Sequence, residues 1–317
     1  MRIAFLGSGA FGRPTLEYLS RTHHIVGVVT QPDQRAGRGK KMTPTPIGAW
    51  AAEHLPSVPL IKPGNVNTDE TRDLVRSWES EAWVVIAFGQ KLGSELLADR
   101  FAINLHASLL PRWRGAAPIN HAILAGDTET GNSVITLADR MDAGLVLGQS
   151  ERAIEPDQTR DDLHNLLAGD GPELIGRVLQ RHAAGSLKPV TQDESLVTLA
   201  GKLRKADGWV DFERPADEVR CRINGLSPWP AVTVGFGNER IRILRAGEAE
   251  QDTPIPQSAG PGTIIDPAIG IVACGAGSRI RLIEIQPPGK KPMSFDAFAN
   301  GRRIEPGDRF IGGRPGA

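Results

Sequence analysis

Asn104 and His106 stand two apart in Ala102-Ile103-Asn104-Leu105-His106. On an extended strand, side chains two apart share a face, so the amide and the imidazole point the same way. Leu105, between them, points into the apolar layer. An Asn and a His at the end of a buried strand are costly unless used, since an unpaired buried polar group costs ~1–3 kcal/mol. Asp142 lies in the loop Arg140-Met141-Asp142-Ala143-Gly144. Alone it is an ordinary Asx-turn residue; it matters only if the fold brings it beside His106. Together the three make chemical sense. A neutral His can take a proton from an attacking amine. A carboxylate can orient the imidazole and stabilise its charged form. An Asn amide can donate to a developing oxyanion, a role worth roughly 3–4 kcal/mol. This set needs no Ser or Cys nucleophile and suits direct acyl transfer to an amine. The seven histidines form neither HExxH nor a ligand-spaced cluster, so no metal is expected.

These residues need a rigid frame. Apolar, β-branched runs at 2–6, 25–29, 83–88, 102–105, 133–137 and 145–147 have the length and near-continuous character of strands buried on both faces. Helical stretches at 15–20, 46–53, 69–77 and 119–125 lie between them, which predicts βαβ units and a doubly wound, mainly parallel α/β sheet. Ligands bind such sheets at the carboxyl ends of the strands, where Asn104 and His106 fall. Thr159 reads as an N-cap, with Asp161 and Asp162 in the first turn of a helical region reaching about residue 184, interrupted at 169–172. Residues 1–186 therefore form one expected domain and 187–204 a linker with a short helical piece. Residues 205–317 form a second domain, with short strands at 208–212, 231–236, 240–245, 262–265, 270–274 and 279–285 that suggest a small β-barrel.

Two further motifs need weighing. Gly7-Ser8-Gly9-Ala10-Phe11-Gly12 matches G-x-G-x-x-G after a strand, with Asp33 downstream, as in dinucleotide sites. However, Gln31-Pro32 separates Asp33 from the second strand, and glycines at a tight turn are common without any dinucleotide. Arg35-Ala36-Gly37-Arg38-Gly39-Lys40-Lys41 places four cations in seven residues, which is either a solvated loop or a phosphate contact.

The run from Asn104 to Pro111 (Asn-Leu-His-Ala-Ser-Leu-Leu-Pro) resembles the signature of the 10-formyltetrahydrofolate-dependent formyltransferases. Its continuation from Arg112 to Ile119 is similar to the methionyl-tRNA formyltransferase branch of that family. Thr30-Gln31-Pro32-Asp33, the basic loop, Thr128–Gly131, Pro228-Trp229-Pro230 and the segment from Gly289 to Ser294 agree with that branch. The resemblance implies a catalytic domain followed by an OB-like C-terminal barrel that helps bind tRNA. It implies 10-formyltetrahydrofolate as co-substrate and initiator methionyl-tRNA as acceptor. Asn104, His106 and Asp142 match the catalytic trio. Ser108, Leu109, Leu110 and Pro111 match the folate-binding stretch, and Gln90 and Leu92 sit where the pterin is held. Arg38, Lys40, Lys41, Arg112 and Arg114 are the expected tRNA contacts. The chain departs from the family at Gly7-Ser8-Gly9, where Gly-Thr-Pro is usual.

The charge balance bounds the partner. Across 317 residues, 37 Lys+Arg offset 37 Asp+Glu, which excludes a strongly basic, charge-dominated binder. The cations that suit a phosphate contact are local: the basic loop, Arg240 and Arg242 alternating along one strand, Arg279 and Arg281 along another, then Lys290-Lys291 and Arg302-Arg303. Two cysteines outside any CxxC fit a reducing cytoplasm. The longest uncharged stretch, 223–238, is too short and too rich in Gly and Pro to span a membrane. A cytoplasmic monomer is expected. The alternatives are a formyltransferase acting on an amino-sugar nucleotide or glycinamide ribonucleotide, an NAD(P)-dependent oxidoreductase built on Gly7-Ser8-Gly9, and a non-catalytic RNA-binding module.

Overall fold

In the computed structural model, residues 1–36, 39, 41–250 and 254–314 are described. The chain divides into two compact units. One comprises Met1–Arg114, Gly131–Arg152 and His164–Leu199; the other comprises Gly115–Thr130, Ala153–Leu163 and Ala200–Ala317.

The first unit is built on a seven-stranded sheet. Its strands are β1 (Arg2–Gly7), β2 (His24–Val29), β3 (Leu60–Ile61), β4 (Ala82–Ile86), β5 (Ala102–His106), β6 (Glu129–Thr136) and β7 (Val146–Ala153). They lie in the order β7-β6-β5-β4-β1-β2-β3. The pairs β1–β2, β1–β4, β2–β3 and β4–β5 are parallel, and β5–β6 is antiparallel. All five residues of β4 are buried, as the unbroken apolar run predicts. The chain leaves β1 toward β2 on one side and returns to β4 on the other. The β1/β4 boundary is therefore the switch point where α/β sheets open a ligand crevice. Helices α1 (Arg13–Thr22), α2 (Pro46–His54) and α3 (Asp69–Arg76) connect the parallel strands. Thr45 and Thr68 cap α2 and α3, accepting from Gly48 N and Thr71 N.

The helical region after Thr159 differs from expectation. Helix α5 (Arg160–Ala183, with α4 at Pro118–Leu124) runs unbroken through Gly169 to Pro172. Its N-terminus is a capping box: Thr159 Oγ1 accepts from Asp162 N at 3.3 Å, and Asp162 Oδ2 accepts from Thr159 N at 2.8 Å. Leu167, Leu174, Ile175, Val178 and Leu179 are at most 2% exposed, so burial of this stripe outweighs the local breaking tendency. Gly171 permits the close packing, because a Cβ there would lie 2.7 Å from Leu105 Cδ2.

The second unit carries β8 (Val232–Phe236), β9 (Glu239–Glu248), β10 (Ile264–Asp266), β11 (Ile271–Ala273), β12 (Arg279–Gln286) and β13 (Met293–Ser294). They form an antiparallel half-barrel in the order β8-β9-β12-β11-β10, with β13 on β12. Register shifts near Arg245 bend β9 against β12. Residues 208–212 are not a strand. Val210 and Phe212 are buried in the core, but their carbonyls accept from Gly313 N and Gly275 N in loops. Two helices lie outside the sequence expectation: α6 (Ala216–Leu226), whose buried Val219, Ile223 and Leu226 recur at helical spacing, and α7 (Phe295–Arg302), which buries Phe295, Phe298 and Ala299.

Candidate active site

Strand β5 delivers Asn104 and His106 to the carboxyl edge of the sheet. Asn104 pairs with Val85 of β4 and Ile135 of β6, and His106 lies opposite Ser133. His106 is 7% exposed, and its Nδ1 lies 3.5 Å from Asp142 Oδ2. Its Nε2 lies 2.9 Å from the Trp113 carbonyl oxygen. A carbonyl only accepts, so Nε2 carries a hydrogen and donates to it. The ring is thus pinned at both nitrogens by oxygen atoms. The half-buried Asn104 carboxamide makes no hydrogen bond with a described residue.

Three non-glycine residues bordering this edge adopt positive φ: Ala87 at 46°, Trp113 at 63° and Asp142 at 52°. Left-handed backbone costs such residues roughly 1–2 kcal/mol each, so their surroundings must hold them. The Asp142 loop is also pressed against β6, since a Cβ at Gly144 would lie 1.7 Å from the Thr136 carbonyl oxygen.

The stretch after β5 is rigid. Ser108 is fully buried and donates to the Arg112 carbonyl at 2.7 Å. Ser133 Oγ donates to the Ser108 carbonyl at 2.7 Å and accepts from Leu110 N at 3.0 Å and Gln149 Nε2 at 2.8 Å. Gln149 also donates to the Leu110 carbonyl, and the Leu110-Pro111 bond is cis. Leu110 is buried, while Leu109 and Pro111 are half-buried. Gln90 accepts from Val66 N at 2.8 Å and donates to the Pro63 carbonyl at 3.0 Å. Leu92 packs in the apolar cluster with Val66, Phe88 and Leu96. Gln90 and Leu92 therefore hold the protein's own segments together.

The expected tRNA contacts separate. Arg38 and Lys40 lie outside the described residues. Lys41 is exposed, on a short hairpin pairing Gln34–Ala36 with Lys41–Thr43. Arg112 is exposed, with its guanidinium carbon 4.9 Å from the centre of the Trp113 ring. Arg114 departs from expectation: it is 4% exposed. Its Nε and Nη2 donate to Gln192 Oε1 at 3.0 and 2.8 Å, and Nη2 to Glu194 Oε1 at 2.9 Å. The hydrogen bond from Arg114, aided by Arg140, holds the Glu194 carboxyl below its ordinary value against desolvation. Burial and these bonds remove the Arg114 guanidinium from the surface. In the second unit, exposed Arg240 and Arg242 alternate with buried Ile241 and Ile243, and exposed Arg281 stands between Ile280 and Leu282. Lys290, Lys291 and Arg303 are exposed, Arg279 is half-buried, and Arg302 pairs with Glu239 at 2.6 Å.

The glycine-rich turn spends its donors internally. Ser8 N and Gly9 N both donate to the Ala87 carbonyl at 3.3 Å. Ser8 Oγ donates to the Phe88 carbonyl and accepts from Gln31 N. Asp33 pairs with Lys62 at 2.6 Å. A pyrophosphate would find neither those N–H groups nor that carboxylate unengaged. Among the described residues, no group of three or more His, Cys, Asp and Glu could hold a metal, and no helix is long and apolar enough to cross a membrane.

Comparison with known proteins bears on the family and the fold. Residues 1–179 match the family model described as formyl transferase, and residues 202–303 match the formyl transferase C-terminal domain. A relative from Methylococcus capsulatus named methionyl-tRNA formyltransferase is 40% identical over 308 residues, covering 96% of this chain and 98% of that one. Among solved structures, the sugar 3N-formyl transferase WlaRD, determined with dTDP and 5-N-formyl-THF, shares the fold. Its TM-score is 0.67 at 15% identity over 92% of this chain and 99% of that one. HypX from Aquifex aeolicus, in complex with tetrahydrofolic acid, gives a TM-score of 0.63 at 15% identity. It covers 94% of this chain, which spans only 47% of HypX. With both domain models matched in order and a 40% identical relative matched nearly end to end, the chain belongs to the formyl transferase family.

Proposed function

We propose that this protein transfers the formyl group of 10-formyltetrahydrofolate to the α-amine of initiator methionyl-tRNA. The observation that carries the reading is the constellation on β5. An Asn104 carboxamide with no hydrogen-bond partner among the described residues shares a strand face with an imidazole held between Asp142 and the Trp113 carbonyl. The name and near-complete alignment of the Methylococcus capsulatus relative support methionyl-tRNA as acceptor.

The formyl donor is a co-substrate. It supplies the one-carbon group, and its N10 leaves with a proton as tetrahydrofolate forms. The residues present suit such a molecule. Leu109 and Pro111 offer partly open apolar surface beside β5, on a stretch held by the Ser133 and Gln149 bonds. The proton that the α-amine loses as it adds to the formyl carbon passes to His106 Nδ1, the ring nitrogen left without a hydrogen when Nε2 donates to the Trp113 carbonyl. Asp142 stabilises the resulting imidazolium and keeps the ring oriented. Asn104 donates to the oxygen that becomes negative in the same step. His106 then returns the proton to the departing nitrogen. A new C–N bond forms on the amine and the C–N10 bond breaks, without net oxidation or reduction.

In this reading Arg38, Lys40, Lys41 and Arg112 contact the tRNA together with exposed Arg240, Arg242 and Arg281, while Arg114 serves the interior. Residues 1–186 carry the chemistry and 205–317 assist tRNA binding. The protein acts as a cytoplasmic monomer. The test offers the formyl donor with methionyl-tRNA, an amino-sugar nucleotide and glycinamide ribonucleotide in parallel. Transfer to methionyl-tRNA alone is expected, and preferential transfer to either small amine would overturn the proposal.

A further inference from the structure

We infer that Gln192, clamped by Arg114, and Thr198 are the positioning residues that between them hold the two partners of His106 in place; this rests on the catalytic reading of His106 and Asp142. Gln192 is 7% exposed, and its carboxamide is fully used. Nε2 donates to the carbonyls of Asp142 and Gly144 at 2.7 and 2.8 Å, while Oε1 accepts twice from Arg114. A guanidinium has only donors, so it fixes which end of the amide faces it. The amide nitrogen is thereby directed at the 142–144 loop. Two bonds to carbonyls flanking Ala143 hold Asp142 at its positive φ of 52°.

The same segment secures the other side of the imidazole. Thr198 Oγ1 accepts from Trp113 N at 2.9 Å, and the Thr198 carbonyl accepts from Arg114 N at 2.9 Å. These bonds hold Trp113 at its positive φ of 63°, with its carbonyl on His106 Nε2. Residues 192–198 thus tie together the two loops that grip His106 from its two nitrogens. Gln192 acts through Asp142 and Thr198 through Trp113, and neither touches a reacting atom. Outer partners that orient metal-bound imidazoles typically change activity by about 10–100-fold when removed, and the same range is expected for the partners of this imidazole.

The test is a double-mutant cycle between Gln192→Glu and Asp142→Asn on the full chain, reading kcat, donor KM and the pH profile of kcat. The carboxylate of Q192E can still pair with Arg114 but cannot donate to the two carbonyls. In the otherwise native protein it should lower kcat roughly 10–100-fold, with little change in donor KM, and give it the pH profile of D142N. On top of D142N it should cost less than about threefold more, because the residue it positions is already disabled. A Q192E kcat within threefold of native, or a loss that multiplies undiminished onto D142N, would overturn the inference. A D142N protein with native kcat overturns the catalytic reading instead. Should Q192E lack a cooperative unfolding transition, Thr198→Val takes its place in a cycle with His106→Ala, with the same non-additive loss expected and a multiplicative loss overturning the inference.

Discussion

Ser133→Ala probes the frame behind the folate-binding stretch. Ser133 is fully buried, and its hydroxyl satisfies three partners: the Ser108 carbonyl, Leu110 N and Gln149 Nε2. Gln149 is exposed and can turn to water. The other two are backbone groups of residues at most 5% exposed, and they lose a partner outright. Two such orphans should together cost about 2–6 kcal/mol, since each typically costs ~1–3 kcal/mol. For a unit of this size, at roughly 2–4 °C per kcal/mol, that lowers the melting temperature by about 4–24 °C. Scanning calorimetry reads the shift, and steady-state kinetics reads the consequence. Loosening residues 108–111 should raise the KM for the formyl donor more than it lowers kcat, because the Asn104 and His106 side chains stay on their strand. A melting temperature within about 2 °C of native together with an unchanged donor KM would refute the reasoning, because the network would then neither stabilise the stretch nor shape the site.

Two other predictions separate local roles. Arg114→Ala should destabilise the protein by about 2–3 kcal/mol, as expected for lost bonds to a charged group. It should leave the slope of log affinity for tRNA against log salt unchanged, whereas removing a phosphate contact lowers that slope by about one; a lowered slope would return Arg114 to the tRNA surface. Burial would raise the Asp162 carboxyl, but hydrogen bonds from Thr159 and Arg245, with the nearby Arg245 charge, outweigh it and hold the group below its ordinary value. A depressed carboxyl stabilises the fold above the unfolded value of ~3.9 and loses that contribution as pH falls through the folded value. The stability gap between the native protein and Asp162→Asn should therefore be full above about pH 5 and close below it, and a gap that does not vary with pH would contradict this.

The parts legible in the sequence are those whose signal is local. Buried parallel strands read as apolar runs, so β1, β2, β4 and β5 fall within two residues of their expected bounds. Asn104 and His106 stood out because two polar side chains interrupt such a run on one face. Thr159 is legible as an N-cap for the same reason, since the acidic Asp162 it meets is only three residues on, although the reciprocal bond that makes a capping box shows only in the structure. The rest depends on partners distant in sequence. Gln192 meets Asp142 across 50 residues and Ser133 meets Ser108 across 25, in both cases through a backbone carbonyl that carries no side-chain signature. Arg114 looks like a second surface cation beside Arg112, and only its burial against Gln192 and Glu194 distinguishes the two. Residues 208–212 alternate like a strand, yet their backbone is taken up by loops. The continuity of α5 across Pro172 comes from its buried stripe, which outweighs local propensity.

The most direct measurement is the single-turnover rate of formyl transfer to methionyl-tRNA, at saturating donor, for Asn104→Ala and His106→Ala, each checked for native melting behaviour. The mechanism predicts losses of about 10²–10³-fold for Asn104→Ala and about 10²–10⁴-fold for His106→Ala. A folded variant of either kind that transfers the formyl group within threefold of the native rate would contradict it.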